Sequence, residues 1–206
     1  MYVNEVVNEL LNQFKNRTNK ERPFNIAVDG LSGSGKTTLV KKLENELKNK
    51  CIVSLFHIDD HIVERNKRYN TAFEEWYEYY YLQWDMEMIS EKLLKSLHRN
   101  YSELNLPYYD KSIDKNANKK VHITPNSIIL IEGIFLQRRE WIAFYDYTIF
   151  WDCPREIRFE RVLNRDYIGD SQTRLDKYKR RYWLGEEHYL NTEEPIKKAN
   201  KIYIVN

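Results

Sequence analysis

The chain has 206 residues, 42% of them hydrophobic, which suffices for one domain with a real core. Its formal net charge is only +2, so no broad basic field points to nucleic acid as a partner. No window approaches 18 consecutive apolar residues, so no membrane-spanning helix is expected, and the amphipathic start reads as a helix and not as a signal peptide. Cys51 and Cys153 lie far apart in apolar stretches without CxxC spacing. That pattern argues against zinc and redox motifs and for a reducing, cytoplasmic setting.

Taken in chain order, the pattern alternates. Val3 to Phe14 has Val6, Val7, Leu10, Leu11 and Phe14 on one side, which predicts a helix. Phe24 to Val28 is a short apolar strand after Pro23. A helix over Leu39 to Leu47 and a strand over Cys51 to Phe56 follow. Ala72 to Leu97 reads as one or two helices, in which Trp76, Tyr80 and Trp84 recur every four residues as a core-facing stripe. Beside it Tyr77 and Tyr81 form a second stripe, and an aromatic wall for a flat acceptor is the alternative reading.

Tyr101 to Tyr109 and Lys120 to Ile123 predict a two-stranded excursion around a turn-rich DKNANKK. Ser127 to Ile131 and Tyr147 to Trp151 are buried strands, Pro154 to Asn164 a helix opened by Asp152 and proline, Gln172 to Leu190 a long polar helix, and Lys201 to Val205 a last strand. Strands apolar on both faces that alternate with helices imply an α/β fold, a parallel sheet of about five strands covered on both sides. We expect a single domain over 1–206, with a substrate-side excursion near 100–124 and a lid near 165–175.

The segment between the first strand and its helix carries the chemistry. Gly30, Leu31, Ser32, Gly33, Ser34, Gly35, Lys36 and Thr37 match G-x-x-x-x-G-K-[ST] in full, with Thr38 next. Glycines let the backbone curl until successive N–H groups face phosphate oxygens, and the helix that follows adds the positive end of its dipole. Lys36 supplies a mobile charge for the outer phosphates, and the Thr37 hydroxyl is a ligand for Mg²⁺. The motif implies a nucleoside triphosphate such as ATP; it does not by itself separate a kinase from a motor or switch.

Acids at the strand ends make that separation. In open parallel sheets ligands sit beyond the carboxyl ends of the strands. CIVSLF runs into His57, Ile58, Asp59, Asp60 and His61, and SIILI runs into Glu132 and Gly133. A phosphoryl acceptor needs a carboxylate to orient its hydroxyl and take the proton, and Mg²⁺ needs hard oxygen ligands. Asp59 is the candidate base, Glu132 joins Thr37 and Asp59 as candidate metal ligands, and Asp60 is a candidate for substrate or metal. Downstream, Arg158, Arg161 and Arg165 fall within an arc of about 60° on one helix, a face able to neutralise charge on a transferring phosphoryl group.

On GLSGSGKTT, HIDDHIV, LPYYD, IILIEGIF and DCPREIRFERVLNRD the chain resembles the uridine kinase and phosphoribulokinase group of P-loop kinases, from about Phe24 onward. The resemblance implies a five-stranded parallel sheet with a small lid, and a kinase using ATP and Mg²⁺ on a hydroxyl of a nucleoside-like small molecule. It implies Asp59 as base, Thr37 and Glu132 for magnesium, and lid arginines at Arg158, Arg161 and Arg165. It also implies substrate contacts at Tyr109 and Asp110, from the P-x-Y-D pattern at Pro107. The chain departs from the group where uridine kinases carry a pyrimidine-holding His, because Asp114 stands there; His61 and His122 are the candidates to compensate. Two alternatives stay open: a kinase for another small alcohol, such as a vitamin precursor or sugar phosphate, and a non-catalytic ATP-binding regulator. Assembly of like chains also stays open.

Overall fold

A computed structural model describes residues 2–165 and 171–205. In chain order its elements begin with helix α1 (Tyr2–Asn16), strand β1 (Phe24–Asp29), helix α2 (Lys36–Lys48) and strand β2 (Ile52–His57). A single 3-10 turn, Ile58–His61, leads to short helix α3 (Arg65–Arg68), helix α4 (Glu75–Tyr81) and helix α5 over 86–98, whose middle, Ile89–Lys95, is π-wound. Hairpin strands β3 (Glu103–Asp110) and β4 (Lys115–His122) come next, then β5 (Ser127–Gly133), β6 (Tyr147–Asp152) and helix α6 (Arg155–Arg165). Helix α7 runs over 171–193, with a π-wound stretch at Tyr178–Trp183, before the last strand, β7 (Lys201–Ile204).

Five strands form one sheet in the order β2-β5-β1-β6-β7, and every neighbour pair is parallel. The period of two along each strand sends alternate side chains to opposite faces. Ile26 and Val28 of β1, with Ile128 and Leu130 of β5, pack against Val6, Leu10, Leu39 and Leu43 of α1 and α2. Ala27, Ile129 and Ile131 face the other way, toward Tyr79, Tyr80, Leu93 and Tyr189. Both central strands are buried along their whole length, which is why they read as continuous apolar runs. Fully burying each such Ile or Leu is worth about 1.5–3 kcal/mol.

Three expectations change in detail. The aromatic helix stops at Tyr81, because Trp84 leaves it to bridge Ile62 and donate its indole N–H to the Ile58 carbonyl at 2.9 Å. The buried pair on α4 is Tyr79 and Tyr80, while Trp76 and Tyr77 are half-buried and pack around His188 and Phe73. The hairpin turn falls earlier than DKNANKK, since β4 already begins at Lys115. Asp114 takes a left-handed φ of 53°, and Asp110 accepts from the Ser112 N–H and hydroxyl at 2.8 and 2.6 Å, closing the turn over 110–115. The polar stretch after it pairs as a strand because this two-stranded sheet keeps one face in solvent, so β4 needs no apolar run.

Candidate active site

The register of the sheet brings the strand ends together. His57 lies opposite Glu132, and Glu132 opposite Val28, so β2, β5 and β1 finish at one level. The loop of Gly30 to Gly35 leaves β1 at that rim. Gly33 has φ 77°, and a side chain there would bring a Cβ within 2.8 Å of the Arg158 carbonyl. Only glycine combines that backbone with that close approach of α6. Gly35 caps α2 with no side-chain hydrogen bond, so the first-turn N–H groups of α2 face the loop unclaimed by a cap. The Ser34 hydroxyl, also in the loop, is buried without a partner among the described residues. A cavity of about 230 Å³ lies over this cradle, lined by Gly33 through Thr38 with Arg161 and Val162. An uncapped helix start, an orphan hydroxyl and a lysine suit an anionic phosphate chain.

Lys36 is buried and donates to the Leu31 carbonyl at 3.1 Å. The Thr37 hydroxyl donates to Glu132 Oε1 at 3.3 Å, while His57 Nδ1 lies 2.6 Å from Glu132 Oε2. That bond to Glu132 raises the pKa of His57, although partial burial opposes it. Thr37 and Glu132 thus put two hard oxygens side by side at the phosphate loop, a donor set that fits Mg²⁺ if phosphate and water complete the shell. Among the described residues no cluster of three or more His, Cys, Asp or Glu could hold a metal by itself.

Gly133 explains how Asp59 arrives here. A Cβ on Gly133 would stand 2.1 Å from Ile58 Cγ2, so the 3-10 turn after β2 presses directly on the end of β5. Asp59 is exposed on that turn, although many neighbouring atoms crowd around it. That crowding, and then the Glu132 carboxylate, raise its pKa, while Lys36 and Lys111 oppose. Asp60 is exposed beside it.

The arginines divide. Arg158 is buried: it donates to the Ser32 carbonyl at 2.9 Å, to the Cys153 carbonyl at 3.0 Å and to both oxygens of buried Glu186. Glu186 in turn accepts from the Ser32 N–H at 2.9 Å. Burial pushes the Glu186 pKa up and Arg158 draws it back. Arg161 is exposed and donates to the Ser34 carbonyl at 2.8 Å, so its guanidinium is at the rim of the phosphate cradle. The side chain of Arg165 and residues 166–170 of the expected lid lie outside the described residues.

On the acceptor side, Tyr109 donates to Asp114 at 2.8 Å and lines a cavity of about 640 Å³. Asp110 points into its own turn instead. Neither histidine lines that cavity: His61 is buried against Tyr108 with Nδ1 2.7 Å from the Pro107 carbonyl, and His122 stands out on the hairpin. Sequence reasoning missed His57, Glu186 and the buried Asp29. Asp29 accepts from the Gly30 N–H at 2.7 Å and from the Tyr189 hydroxyl, and burial raises its pKa against those bonds. His57 was visible at a strand end; Glu186 and Tyr189 carry no local signal, because only the packing of α7 brings them to the loop.

Comparison with known proteins agrees with this geometry. Residues 25–198 match the family model described as Phosphoribulokinase / Uridine kinase family. The chain belongs to that family. It is 30% identical over 192 residues to the uridine kinase of Lactobacillus helveticus, covering 89% of this chain and 87% of the relative. It is 29% identical over 188 residues to the uridine kinase of Borrelia duttonii, covering 87% and 84%. A solved structure described as a possible uridine kinase from Bacillus stearothermophilus superposes with TM-score 0.82 at 38% identity, over 98% of this chain and 100% of that one. D-glycerate 3-kinase from Cryptococcus neoformans shares the fold alone, with TM-score 0.71 at 15% identity, over 100% and 96%. This family member is therefore an ATP-dependent kinase of small molecules, and family kinases in general use ATP with Mg²⁺. No helix among the described residues is long and apolar enough to cross a membrane.

Proposed function

We propose that the chain, as a single cytoplasmic P-loop kinase domain, transfers the γ-phosphoryl group of ATP to a hydroxyl of a nucleoside-like acceptor. Gly30 through Thr38 hold the phosphate chain, with Lys36 on its outer oxygens. Thr37, Glu132 and Asp59 are the residues that would hold Mg²⁺, which when bound offsets charge on the phosphates. Asp59 orients the acceptor hydroxyl and accepts its proton as the oxygen attacks. Arg161 follows charge on the phosphoryl oxygens. Arg158, tied to Glu186 and Ser32, serves the same end by keeping the loop in shape. Tyr109 takes the acceptor, with Asp60 and Asp110 as secondary candidates, and Arg165 stays with the arginine face proposed from its spacing.

The observation that carries this reading is that the turn bearing Asp59 packs on Gly133 at the end of β5, at the rim where Glu132 meets Thr37 of the phosphate loop. A non-catalytic nucleotide binder has no need of that carboxylate. The test is ADP release with a panel of nucleosides and sugar-like alcohols. Asp59→Asn is expected to lower kcat by about 10²–10⁴ while the Kd for ATP stays within a few-fold. Full acceptor-dependent turnover by Asp59→Asn would remove the proposed role.

A further inference from the structure

Among the described residues, the 640 Å³ cavity on the acceptor side is lined by Arg65, Arg68, Lys111 and Lys177 and by no carboxylate. Tyr69 and Tyr109 supply its aromatic walls. On the same two helices, α3 and α7, other cations are paired: Lys67 with Glu64 at 2.8 Å, Arg180 with Glu75 at 2.9 Å, and buried Arg181 with Glu78 at 2.8 Å. The four cations that face the cavity form no ion pair among the described residues. A merely solvated basic face would not be expected to sort its charges in this way.

Arg68 is the built part. It is 5% exposed, its Nε donates to the Val63 carbonyl at 2.8 Å, and its guanidinium lies over the rings of Tyr69 and Tyr109. One Nη reaches the Tyr109 hydroxyl at 3.3 Å. Asp114 accepts from the Tyr109 hydroxyl and the Arg65 N–H at 2.8 and 2.9 Å, and the charges of Arg65 and Arg68 help to lower its pKa. The residue found where uridine kinases carry a base-holding His thus fixes Tyr109 and the start of α3, the helix that presents Arg65 and Arg68. The cavity also abuts the reacting end of the site. Ile62, next to the turn that carries Asp59, lines it.

We infer that this cavity selects an acceptor bearing its own anionic group, a phosphate or a carboxylate, held by Arg65, Arg68 and Lys177 while its hydroxyl reaches Asp59. The inference rests on the kinase reading and narrows it: the nucleoside-like acceptor is acidic, not neutral. Planar guanidiniums suit the oxygens of either anion, and the two tyrosine rings cover the rest of a compact molecule.

The test fills the phosphate loop with a non-hydrolysable ATP analogue and titrates inorganic phosphate, glycerate and uridine by calorimetry. The variant is Arg65→Gln/Lys177→Gln, two exposed side chains with no ion pair to lose, and its melting curve checks the fold. The expected result is saturable binding of phosphate or glycerate that weakens about tenfold for each cation removed, with uridine binding unchanged. Whichever anion binds tighter identifies the acidic group. In turnover, KM for an acidic acceptor rises in the variant and kcat holds. Absence of saturable anion binding, or anion affinity that the variant leaves unchanged, overturns the inference. Uridine turnover without an anion site would leave the kinase reading intact and remove only this one. An anion site with no acceptor-dependent ADP release would do the reverse.

Discussion

Asp59, Gly133 and Ile58 form a unit at the scale of single residues. The carboxylate is delivered to the rim by a turn that packs on the bare Cα of Gly133, where a methyl group would meet Ile58 Cγ2 at 2.1 Å. Gly133→Ala is therefore expected to push the 58–61 turn outward and misplace Asp59 by a fraction of an ångström or more. Turnover should fall about tenfold to a hundredfold. The Kd for ATP should hold, since the phosphate loop leaves β1 and is braced by α6 and α7. Kinetics and nucleotide binding measured on the same preparation check this, and equal losses in both would contradict it. Glu186 makes a related point. One buried carboxylate engages the Ser32 N–H and the arginine that holds the Ser32 carbonyl, so both backbone polar groups of that loop residue are restrained from α6 and α7.

Among elements, the join between α4 and α7 is the most exacting. Glu78 and Arg181 are both buried and meet at 2.8 Å, and Thr71 donates its N–H and hydroxyl to the same Glu78 oxygen. Burial alone would raise the Glu78 pKa, but Thr71 and Arg181 outweigh it and the net direction is down. An acid with a depressed folded pKa contributes stability above its unfolded value that is lost as pH falls through the folded one. Glu78→Gln leaves Arg181 buried without its charge partner, a loss of about 3–5 kcal/mol. The difference from the parent should be full near neutrality and shrink below a pH of about 4.3, the unperturbed glutamate value. Denaturant melts at several pH values measure it; a gap that stays constant down to the lowest pH would contradict the linkage.

For the whole molecule, the two sides of the sheet are closed by packed side chains. Val6, Leu10 and Leu43 seal one face and Tyr80, Leu93 and Tyr189 the other. Chelation of divalent metal is accordingly expected to stop turnover and leave the melting temperature of the nucleotide-free protein unchanged. A non-hydrolysable ATP analogue at about 100 times its Kd should add about 2.7 kcal/mol. For a chain of this size that corresponds to a rise of roughly 5–10 °C in Tm. Scanning calorimetry with and without chelator separates the two effects. A large drop in Tm on chelation alone would mean that the fold itself depends on metal.

Local sequence determined the strands, the phosphate loop and the acids at the strand ends, because each depends on near neighbours: apolar runs, glycines at fixed offsets, a carboxylate just past a strand. It also carried the helical face of Arg158 and Arg161, since that is a matter of angular spacing along one element. It did not separate the two, for burial depends on what packs opposite, and only α7 supplies the Glu186 that draws Arg158 inward while Arg161 stays at the cradle. The hairpin turn was misjudged for a similar reason, as Asp110 and Asp114 close it through bonds that residue preferences alone do not reveal. The basic cavity belongs wholly to tertiary structure. Arg65, Arg68, Lys111 and Lys177 come from three separate segments, and a net charge of +2 gives no sign that they meet.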